Sequence, residues 1–383
     1  MPLGTLKNTL YGLALPVMGM RCEWKGAEGG EKRIRKRLCT LLHKRHAVGA
    51  CIQCFHEGEL TDCYTAGYAA KEPDGQPVTP NTYFRAASIA KMVTALLVLR
   101  LQTQGKLSIY DNVSDLLGFP VQNPYYPEAP ITLGMLLGHT SSLVDSPHYF
   151  ASFKEPCNVS QLLREKESYA RAIPGIDFRY SNFAAGFIGC LLEKRFGYSF
   201  EALAQRELFA PLDVKATFDL STVSAAQLSN GYRVLPAECC FDAQSRLESA
   251  APLSEPNPEK HYLLASGGLY CTASALATLA LVACNGNGGF INPESLAQMQ
   301  KPVTQWPQER VRMLHGMGLL QVDDRRISPQ TLWGHQGFAY GAVNGVFFDQ
   351  AGTGFAALNS GASEQRIGHL AKINQDLISL FLK

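Results

Sequence analysis

The sequence predicts an α/β fold of the α+β type, in which one antiparallel β-sheet is flanked by N- and C-terminal helices and carries an inserted, mostly helical domain. Strand-like runs lie near both ends of the chain, at 48–68 and 316–359. Short helical patterns, broken often by Pro and Gly, fill the middle from 107 to 259. The simplest architecture is therefore one sheet built by the two chain ends, with the helical region inserted between them.

Hydrophobic periodicity and turn residues place the individual elements. In chain order we expect a helix at 31–45, a hairpin at 47–70 with its turn at 56–59, a loop at 72–81, helices at 88–104 and 183–196, a helix starting near Thr272, strands at 316–322, 331–337, 345–349 and 354–359, and a helix at 363–382. This pattern divides the chain into an N-terminal extension (1–30), a sheet domain (31–105 with 262–383) and a helical insert domain (106–261).

Composition excludes several classes of function. The 383 residues are 46% apolar and 18% charged, which suits one large globular domain or two interlocked ones. A net charge of +2 gives no reason to expect a nucleic-acid partner. The basic run at 32–37 begins an amphipathic helix and is interpreted as a solvated face.

The N-terminal region and the cysteines bear on compartment. The apolar run at 10–20 is too short to span a bilayer, contains a proline and is followed by no clear cleavage site. Eleven scattered cysteines, an odd number, suit reduced buried thiols better than a disulfide framework. We expect a cytoplasmic protein without a membrane span, with export as the alternative.

The cysteine spacings do not favour a metal site. Cys51 and Cys54 fall on a predicted strand, where residues three apart point to opposite faces. The adjacent pair Cys239 and Cys240 is an equally weak zinc signal. No metal and no cofactor are expected.

The stretch at 84–91 carries the first chemical motif. Ser88 lies in the first turn of the most apolar helix, where free N–H groups and the positive helix end favour developing negative charge. Lys91 is three residues on, so its amine shares the face of the Ser88 hydroxyl. This is the Ser-x-x-Lys pattern of serine acyl-transferring enzymes. Alone, the pair also fits an ordinary polar helix start with a snorkelling lysine.

Two later stretches could complete a site. Tyr180-Ser181-Asn182 opens the helix at 183–196, either as a plain capped start or as a proton-transferring phenol beside an amide that bonds substrate. His335-Gln336-Gly337 lies at the end of a glycine-rich strand, where His335 and Gly337 share a face and the glycine admits a ligand close to the backbone. Each stretch taken alone has an ordinary structural explanation.

Together, and in this order, Ser-x-x-Lys, Tyr-Ser-Asn and His-x-Gly resemble the motifs of the serine β-lactamase and penicillin-binding-protein superfamily. The chain looks most like the branch of class C β-lactamases, serine D,D-peptidases, D-amino-acid amidases and related esterases. The resemblance covers roughly 31–383. Further family-like stretches lie at 105–111, 131–143, 211–217 and 265–269.

The resemblance implies a role for each site residue. Ser88 would be the nucleophile, Lys91 its general base working with Tyr180, and Tyr180 the donor to the leaving group. Asn182 and His335 would position the substrate. The backbone N–H groups of Ser88 and Phe338 would form the oxyanion hole.

The third motif departs from the family pattern. The β-lactamases of this branch usually carry Lys-Thr-Gly, whereas this chain has His-Gln-Gly, and Gln336 replaces the hydroxyl residue that helps hold a substrate carboxylate. We therefore expect a serine hydrolase that acts through a Ser88 acyl-enzyme on a peptide-like amide, of D,D-peptidase or D-amino-acid-amidase type, or on an ester. The alternatives are a weak β-lactamase, an acyltransferase, or a non-catalytic binding protein that keeps the fold. The partner would be a small molecule or peptide, and the oligomeric state stays open.

Overall fold

A computed structural model describes residues 3–72, 74–305, 310–339 and 341–383. Its α-helices are α1 (Leu3–Met18), α2 (Lys32–Lys44), α3 (Ala90–Thr103), α4 (Val113–Leu117), α5 (Leu133–Leu137), α6 (Pro147–Ala151), α7 (Val159–Arg164), α8 (Asn182–Phe196), α9 (Phe200–Ala204), α10 (Ala243–Glu248), α11 (Leu264–Gly267), α12 (Ala273–Asn285), α13 (Pro293–Gln300) and α14 (Lys372–Phe381). Tight 3-10 turns lie at Ala87–Ile89, Lys166–Ser168, Leu220–Thr222 and Ala225–Gln227, and a π-helical turn lies at Gln205–Phe209.

The strands are distributed as the sequence predicts, with most of them at the two ends of the chain. They are β1 (Ala27–Glu28), β2 (Gly49–His56), β3 (Glu59–Ala70), β4 (Gln76–Pro77), β5 (Phe84–Arg85), β6 (Ala216–Thr217), β7 (Gly231–Val234), β8 (Ala237–Phe241), β9 (Tyr270–Cys271), β10 (Thr304–Gln305), β11 (Met313–His315), β12 (Leu320–Val322), β13 (Leu332–Ala339), β14 (Ala342–Phe348), β15 (Gly354–Gly361), β16 (Arg366–Ile367) and β17 (Leu370–Ala371).

One antiparallel sheet joins the two ends of the chain. Its order is β1-β3-β2-β15-β14-β13-β12-β11-β10, with β4 paired to β3 at one side. The joint is the β2–β15 ladder, in which Ile52 lies opposite Ala357 and Phe55 opposite Gly354. This arrangement confirms the predicted fold class. The division into 1–30, a sheet domain and an insert domain stays a prediction.

Each face of the sheet is covered by helices. On one face, α2 and α14 bury Leu38, Leu42 and Leu377 against sheet residues such as Phe347 and Phe355. On the other face, the larger core contains α3, α8 and α12. Helix α3 is apolar around its whole circumference and is buried nearly throughout, as expected for a helix enclosed on all sides.

The predicted C-terminal helix was too long at its start. The structure has a hairpin, β16–β17, where a helix was expected from 363, and α14 begins only at Lys372. Gly368 makes the turn with a φ of +59°, a left-handed conformation that favours glycine. The predicted strand at 316–322 is likewise reduced to β12, because Gly318 (φ +70°) turns the chain against the backbone of Lys91.

Residues 1–30 hold an element that the sequence analysis did not predict. Helix α1 packs Leu15 into a small cluster with Val48 and Val234. Asn8 fixes the helix to the β16–β17 hairpin through two hydrogen bonds to the backbone of Arg366. No helix within the described ranges combines the length and the hydrophobicity that a bilayer crossing requires.

Candidate active site

Ser88 sits on a strained turn between β5 and α3. The preceding residue, Ala87, has a φ of +53°, which is costly for a residue with a Cβ atom and is typical of functional turns. Strand β13 packs closely behind this turn: a Cβ atom on Gly337 would collide with the carbonyl oxygen of Ala86. The turn thus holds Ser88 at the head of α3, with its side chain half-buried at the edge of a cleft.

Lys91 is buried beside the serine, with only 3% of its surface exposed. Its Nζ donates to Ser88 Oγ at 3.3 Å, to Asn182 Oδ1 at 2.9 Å and to the Ser266 carbonyl at 2.7 Å. An ammonium group has three hydrogens, so each has an acceptor. The predicted pairing of Ser88 with Lys91 is present, and the amine is held in one position.

The second motif meets the first at the same place. Lys91 Nζ lies 5.0 Å from the centre of the Tyr180 ring. Ser181 caps α8 by accepting a hydrogen bond from the N–H of Ala184, as its residue type predicts. Tyr180 and Asn182 both line the cleft that Ser88 faces.

Asp145 fixes the second motif, and sequence reasoning missed it. Its carboxylate accepts hydrogen bonds from Asn182 Nδ2 at 2.8 Å, from Ser181 Oγ at 3.0 Å and from the Phe183 N–H at 2.8 Å. These bonds hold Asn182 with its oxygen toward Lys91. No local pattern marks this aspartate, because its partners lie about forty residues further along the chain.

Three buried histidines form a series of ring contacts that starts at Tyr180. The ring centres of His139 and Tyr180 are 4.5 Å apart, those of His139 and His315 5.0 Å, and those of His315 and His335 6.4 Å. Burial lowers the pKa of His315 to about 4 and that of His335 to about 3, and it holds the pKa of His139 well below its usual range. All three rings are therefore neutral at pH 7, so Lys91 keeps no cationic neighbour among them.

His139 also positions the second motif through its backbone and its ring. Its carbonyl accepts from the Arg179 N–H at 2.8 Å, and its Nδ1 accepts from the Ser181 N–H at 3.2 Å. The residue has a φ of +57° and belongs to the family-like stretch at 131–143, so a signal for it was present in the sequence.

The cleft has a volume of about 310 Å³. It is lined by Ser88, Tyr180, Asn182, Met313, Leu320, His335, Gln336, Phe338, Arg366 and His369. Five of the seven predicted site residues line it, namely Ser88, Tyr180, Asn182, His335 and Phe338, and they come from three separate parts of the chain. The cleft is a pocket of the size that small-molecule sites have.

In the third motif, Gly337 and His335 make contacts that the sequence analysis did not predict. Gly337 does not line the cleft; it admits the Ala86 carbonyl rather than a ligand. The Nδ1 of His335 bonds to the Gln336 carbonyl at 2.8 Å and, in a neutral ring, donates to it. That leaves the buried Nε2 as an acceptor, for which the described residues supply no hydrogen-bond partner.

Gln336 is a structural clamp. Its Nε2 donates to the His369 carbonyl at 2.7 Å, and its Oε1 accepts from the Ala371 N–H at 3.1 Å and from Asn374 Nδ2 at 3.2 Å. These bonds tie β13 to the β16–β17 hairpin and to α14. The polar atoms of its side chain are thus committed to the protein, although the side chain borders the cleft.

Arg366 brings the only charge among the described side chains that line the cleft. Its guanidinium lies 3.8 Å from the centre of the Phe338 ring, an aromatic contact that holds it flat. No acid among the described residues forms an ion pair with it; the nearby Glu364 lies 3.9 Å from Arg233. Burial lowers the pKa of Arg366, and the Glu364 carboxylate opposes that effect.

The described residues give no sign of a metal centre. They contain no group of three or more His, Cys, Asp or Glu side chains able to hold an ion. Cys51 lies 3.8 Å from Cys63 on the neighbouring strand, not beside Cys54. All eleven cysteines are free.

The site joins a serine on a helix-start turn, a buried lysine bonded to it and a tyrosine near that lysine. It lies between an antiparallel sheet and a helical region. This arrangement is that of the serine β-lactamase and penicillin-binding-protein fold. Residues 34–377 match the family model described as Beta-lactamase, and the chain belongs to that family.

Individual relatives are distant. The chain is 26% identical over 339 residues to a probable fimbrial assembly protein FimD, serogroup H1, of Dichelobacter nodosus, a match that covers 87% of this chain and 79% of the relative. Among solved structures, EstCE1, a hydrolase with promiscuous acyltransferase activity, superimposes with a TM-score of 0.72 at 21% identity, covering 91% of this chain and 98% of that one. The D-amino acid amidase of Ochrobactrum anthropi SV3 with bound D-phenylalanine gives a TM-score of 0.67 at 19% identity, covering 91% and 98%. At these identities the structural matches establish the fold.

Proposed function

We propose that the chain is a serine hydrolase that works through an acyl-enzyme on Ser88. The observation that carries the proposal is the 3.3 Å contact between Lys91 Nζ and Ser88 Oγ at the edge of an open cleft. A serine hydroxyl is a weak nucleophile until an adjacent base removes its proton. Among the described residues, Lys91 contacts this hydroxyl and is proposed as that base, working with Tyr180.

The proposed reaction proceeds in two halves. In the reactive form Lys91 donates two hydrogens, to Asn182 Oδ1 and the Ser266 carbonyl, and turns its lone pair toward Ser88 Oγ. Ser88 Oγ attacks the carbonyl carbon while its proton passes to Lys91, and the N–H groups of Ser88 and Phe338 bind the tetrahedral oxyanion. Tyr180 then delivers a proton to the leaving amine or alcohol as the carbon–heteroatom bond breaks, and it takes up the proton that Lys91 holds. Water enters the cleft, gives one proton to Lys91 and attacks the ester carbonyl. Lys91 returns that proton to Ser88 Oγ as the bond to the acyl group breaks, which releases the acid and free Ser88.

Recognition is proposed to involve the opposite side of the cleft. The hydroxyl that usually helps hold a carboxylate at the third motif is replaced by Gln336, which is occupied internally. Arg366 supplies a charge instead, and a guanidinium fits a carboxylate in two-pronged geometry. We therefore favour an acyl donor with a free carboxylate, such as a peptide-like amide, together with simple esters, over a β-lactam.

A direct test compares Ser88→Ala with Ser224→Ala, a surface serine, on p-nitrophenyl acetate and D-amino-acid amides. We expect Ser88→Ala to abolish turnover and labelling by a fluorophosphonate, and Ser224→Ala to behave like the unchanged chain. Labelling that survives at full strength in Ser88→Ala removes Ser88 from this role. Absence of any Ser88-dependent turnover in the unchanged chain would favour the non-catalytic alternative.

Two narrower alternatives, a β-lactamase and an acyltransferase, predict different measurable products. Hydrolysis of nitrocefin faster than of the amides and esters would make the chain a β-lactamase. A product ester or amide formed when an alcohol or amine competes with water would make it an acyltransferase.

For compartment we propose the cytoplasm, because all eleven thiols are free.

A further inference from the structure

Helix α1 presents an uncovered apolar face. Leu6, Leu10, Leu13 and Val17 are 48%, 56%, 70% and 79% exposed. At 100° per residue these four positions fall within an arc of about 60° on one side of the helix. The face is therefore a continuous stripe along the helix rather than a scatter of single exposed residues.

The opposite face of α1 is held firmly to the protein. Leu15 is 3% exposed, Tyr11 OH accepts from the Glu364 N–H at 3.3 Å, and Asn8 exchanges two hydrogen bonds with the Arg366 backbone. The helix is thus fixed in one orientation, and its apolar stripe points away from the body of the protein. A fixed, exposed apolar face of this kind is typical of a surface that binds a partner or a membrane.

The size of the stripe argues against a second copy of this chain as that occupant. From Leu6 to Val17 the stripe is about 17 Å long, and the helix is about 10 Å across, so the stripe covers at most roughly 170 Å². A stable protein interface buries ~800 Å² per partner. A lipid surface accepts a narrow stripe, because an interfacial helix needs only to sink its apolar face to the boundary of the acyl chains.

The charges around the stripe favour an anionic lipid. Residues 3–22 contain Lys7 and Arg21 and no acid, and Lys25 follows. Lys7 is exposed and lies about 90° from the centre of the stripe, at its edge, where a lysine can reach headgroups. The first acid, Glu23, forms an ion pair with Lys71 at 3.3 Å.

We propose that α1 is an interfacial helix that docks this protein on an anionic membrane surface through Leu6, Leu10, Leu13 and Val17. Because Asn8 binds the backbone of Arg366, the docked helix sets the rim of the Ser88 cleft close to the lipid. The cleft would then meet acyl substrates held at, or diffusing along, that surface.

The test is vesicle co-sedimentation of the full chain. We expect binding to phosphatidylcholine vesicles that contain phosphatidylglycerol, and weaker binding to phosphatidylcholine alone. Leu13→Asp should weaken binding about tenfold or more, since a charged side chain replaces an apolar one that enters the lipid. Tyr110→Asp is the control: Tyr110 is 72% exposed and lies near the C-terminal end of α3, away from Ser88, and its change should leave binding intact.

Circular dichroism and thermal melting establish that both variants stay folded, and Leu10→Asp gives an independent repeat. Equal vesicle binding by the unchanged chain and Leu13→Asp would overturn the proposal. So would failure of the folded, unchanged chain to bind either kind of vesicle. A dimer that Leu13→Asp converts to monomers without any lipid binding would also overturn it and would make a second copy the occupant.

Discussion

The two walls of the cleft are built on opposite principles. The wall of Ser88, Lys91 and Asn182 is a closed hydrogen-bond network, in which every hydrogen of the lysine has an acceptor and Asp145 fixes the amide. The wall of Phe338 and Arg366 carries a cation without an ion-pair partner among the described residues, on a short hairpin held by Gln336. In the first wall the lysine hydrogens all have acceptors within the protein. In the second wall the guanidinium of Arg366 is available to pair with a charged ligand.

This difference separates chemistry from recognition. A saturated, buried network holds reactive groups in one geometry whatever the substrate, which is the requirement for catalysis. A half-buried cation gains most from a ligand that neutralises it. Substitutions in the first wall should therefore lower the turnover of every substrate. Substitutions in the second wall should affect substrates that carry a carboxylate more than neutral ones.

The largest effect is expected for Lys91→Met, which keeps the volume of the side chain and removes the base. Positioned acid–base groups contribute about 10²–10⁴-fold, so kcat should fall by roughly 10³-fold on esters and amides alike. Lys215→Met, at an exposed lysine, is the control. A fall confined to one substrate class would show that Lys91 serves recognition rather than proton transfer.

The next effect is expected for Arg366→Gln. A hydrogen bond to a charged group contributes about 1.5–3 kcal/mol, so KM for carboxylate-bearing amides should rise about 10- to 100-fold. Neutral esters should be unaffected, and Arg366→Lys should recover part of the loss. Equal losses on both substrate types would mean that Arg366 only supports the hairpin.

Asp145→Asn should lower kcat by about tenfold on all substrates. The substitution replaces one carboxylate oxygen with an NH2 group, which cannot accept a hydrogen bond from Asn182, Ser181 or Phe183. Asn182 is then no longer held with its oxygen toward Lys91. The lost charged hydrogen bonds should also reduce the free energy of unfolding by about 1.5–3 kcal/mol each at most. Steady-state rates and denaturant melts measure the two effects. Asp115→Asn, at an exposed position of α4, is the control, and an unchanged kcat in Asp145→Asn would contradict this positioning role.

The sequence predicted the first wall better than the second. Ser88, Lys91, Tyr180 and Asn182 lie on motifs whose spacing along a helix or at a cap decides their position. The charge on Arg366 and the clamp of Gln336 were missed because both depend on the β16–β17 hairpin, where Ile367 and Leu370 fit a helical period equally well. Asp145 and His315 were missed because only the folded chain brings them to Tyr180.

The smallest effect concerns the histidines beside Tyr180. The pKa of His315 (about 4) and that of His335 (about 3) lie below the usual 6.5, so the unfolded chain binds more protons than the folded one between about pH 6.5 and pH 3. The free energy of unfolding should therefore be unaffected by these groups above pH 6.5 and should fall as pH is lowered through this window. Denaturant melts across pH should show a shallower decline in His335→Asn, and an identical decline would contradict the assignment.

Identifying the acylated residue tests the central claim most directly. The unchanged chain, quenched with acid during turnover of an activated ester and digested, should give one acylated peptide, with the added mass on Ser88, and Lys91→Met should accumulate it far more slowly. An acyl group found on another residue, or turnover with no trapped acyl-enzyme and no initial burst of leaving group, would contradict the account.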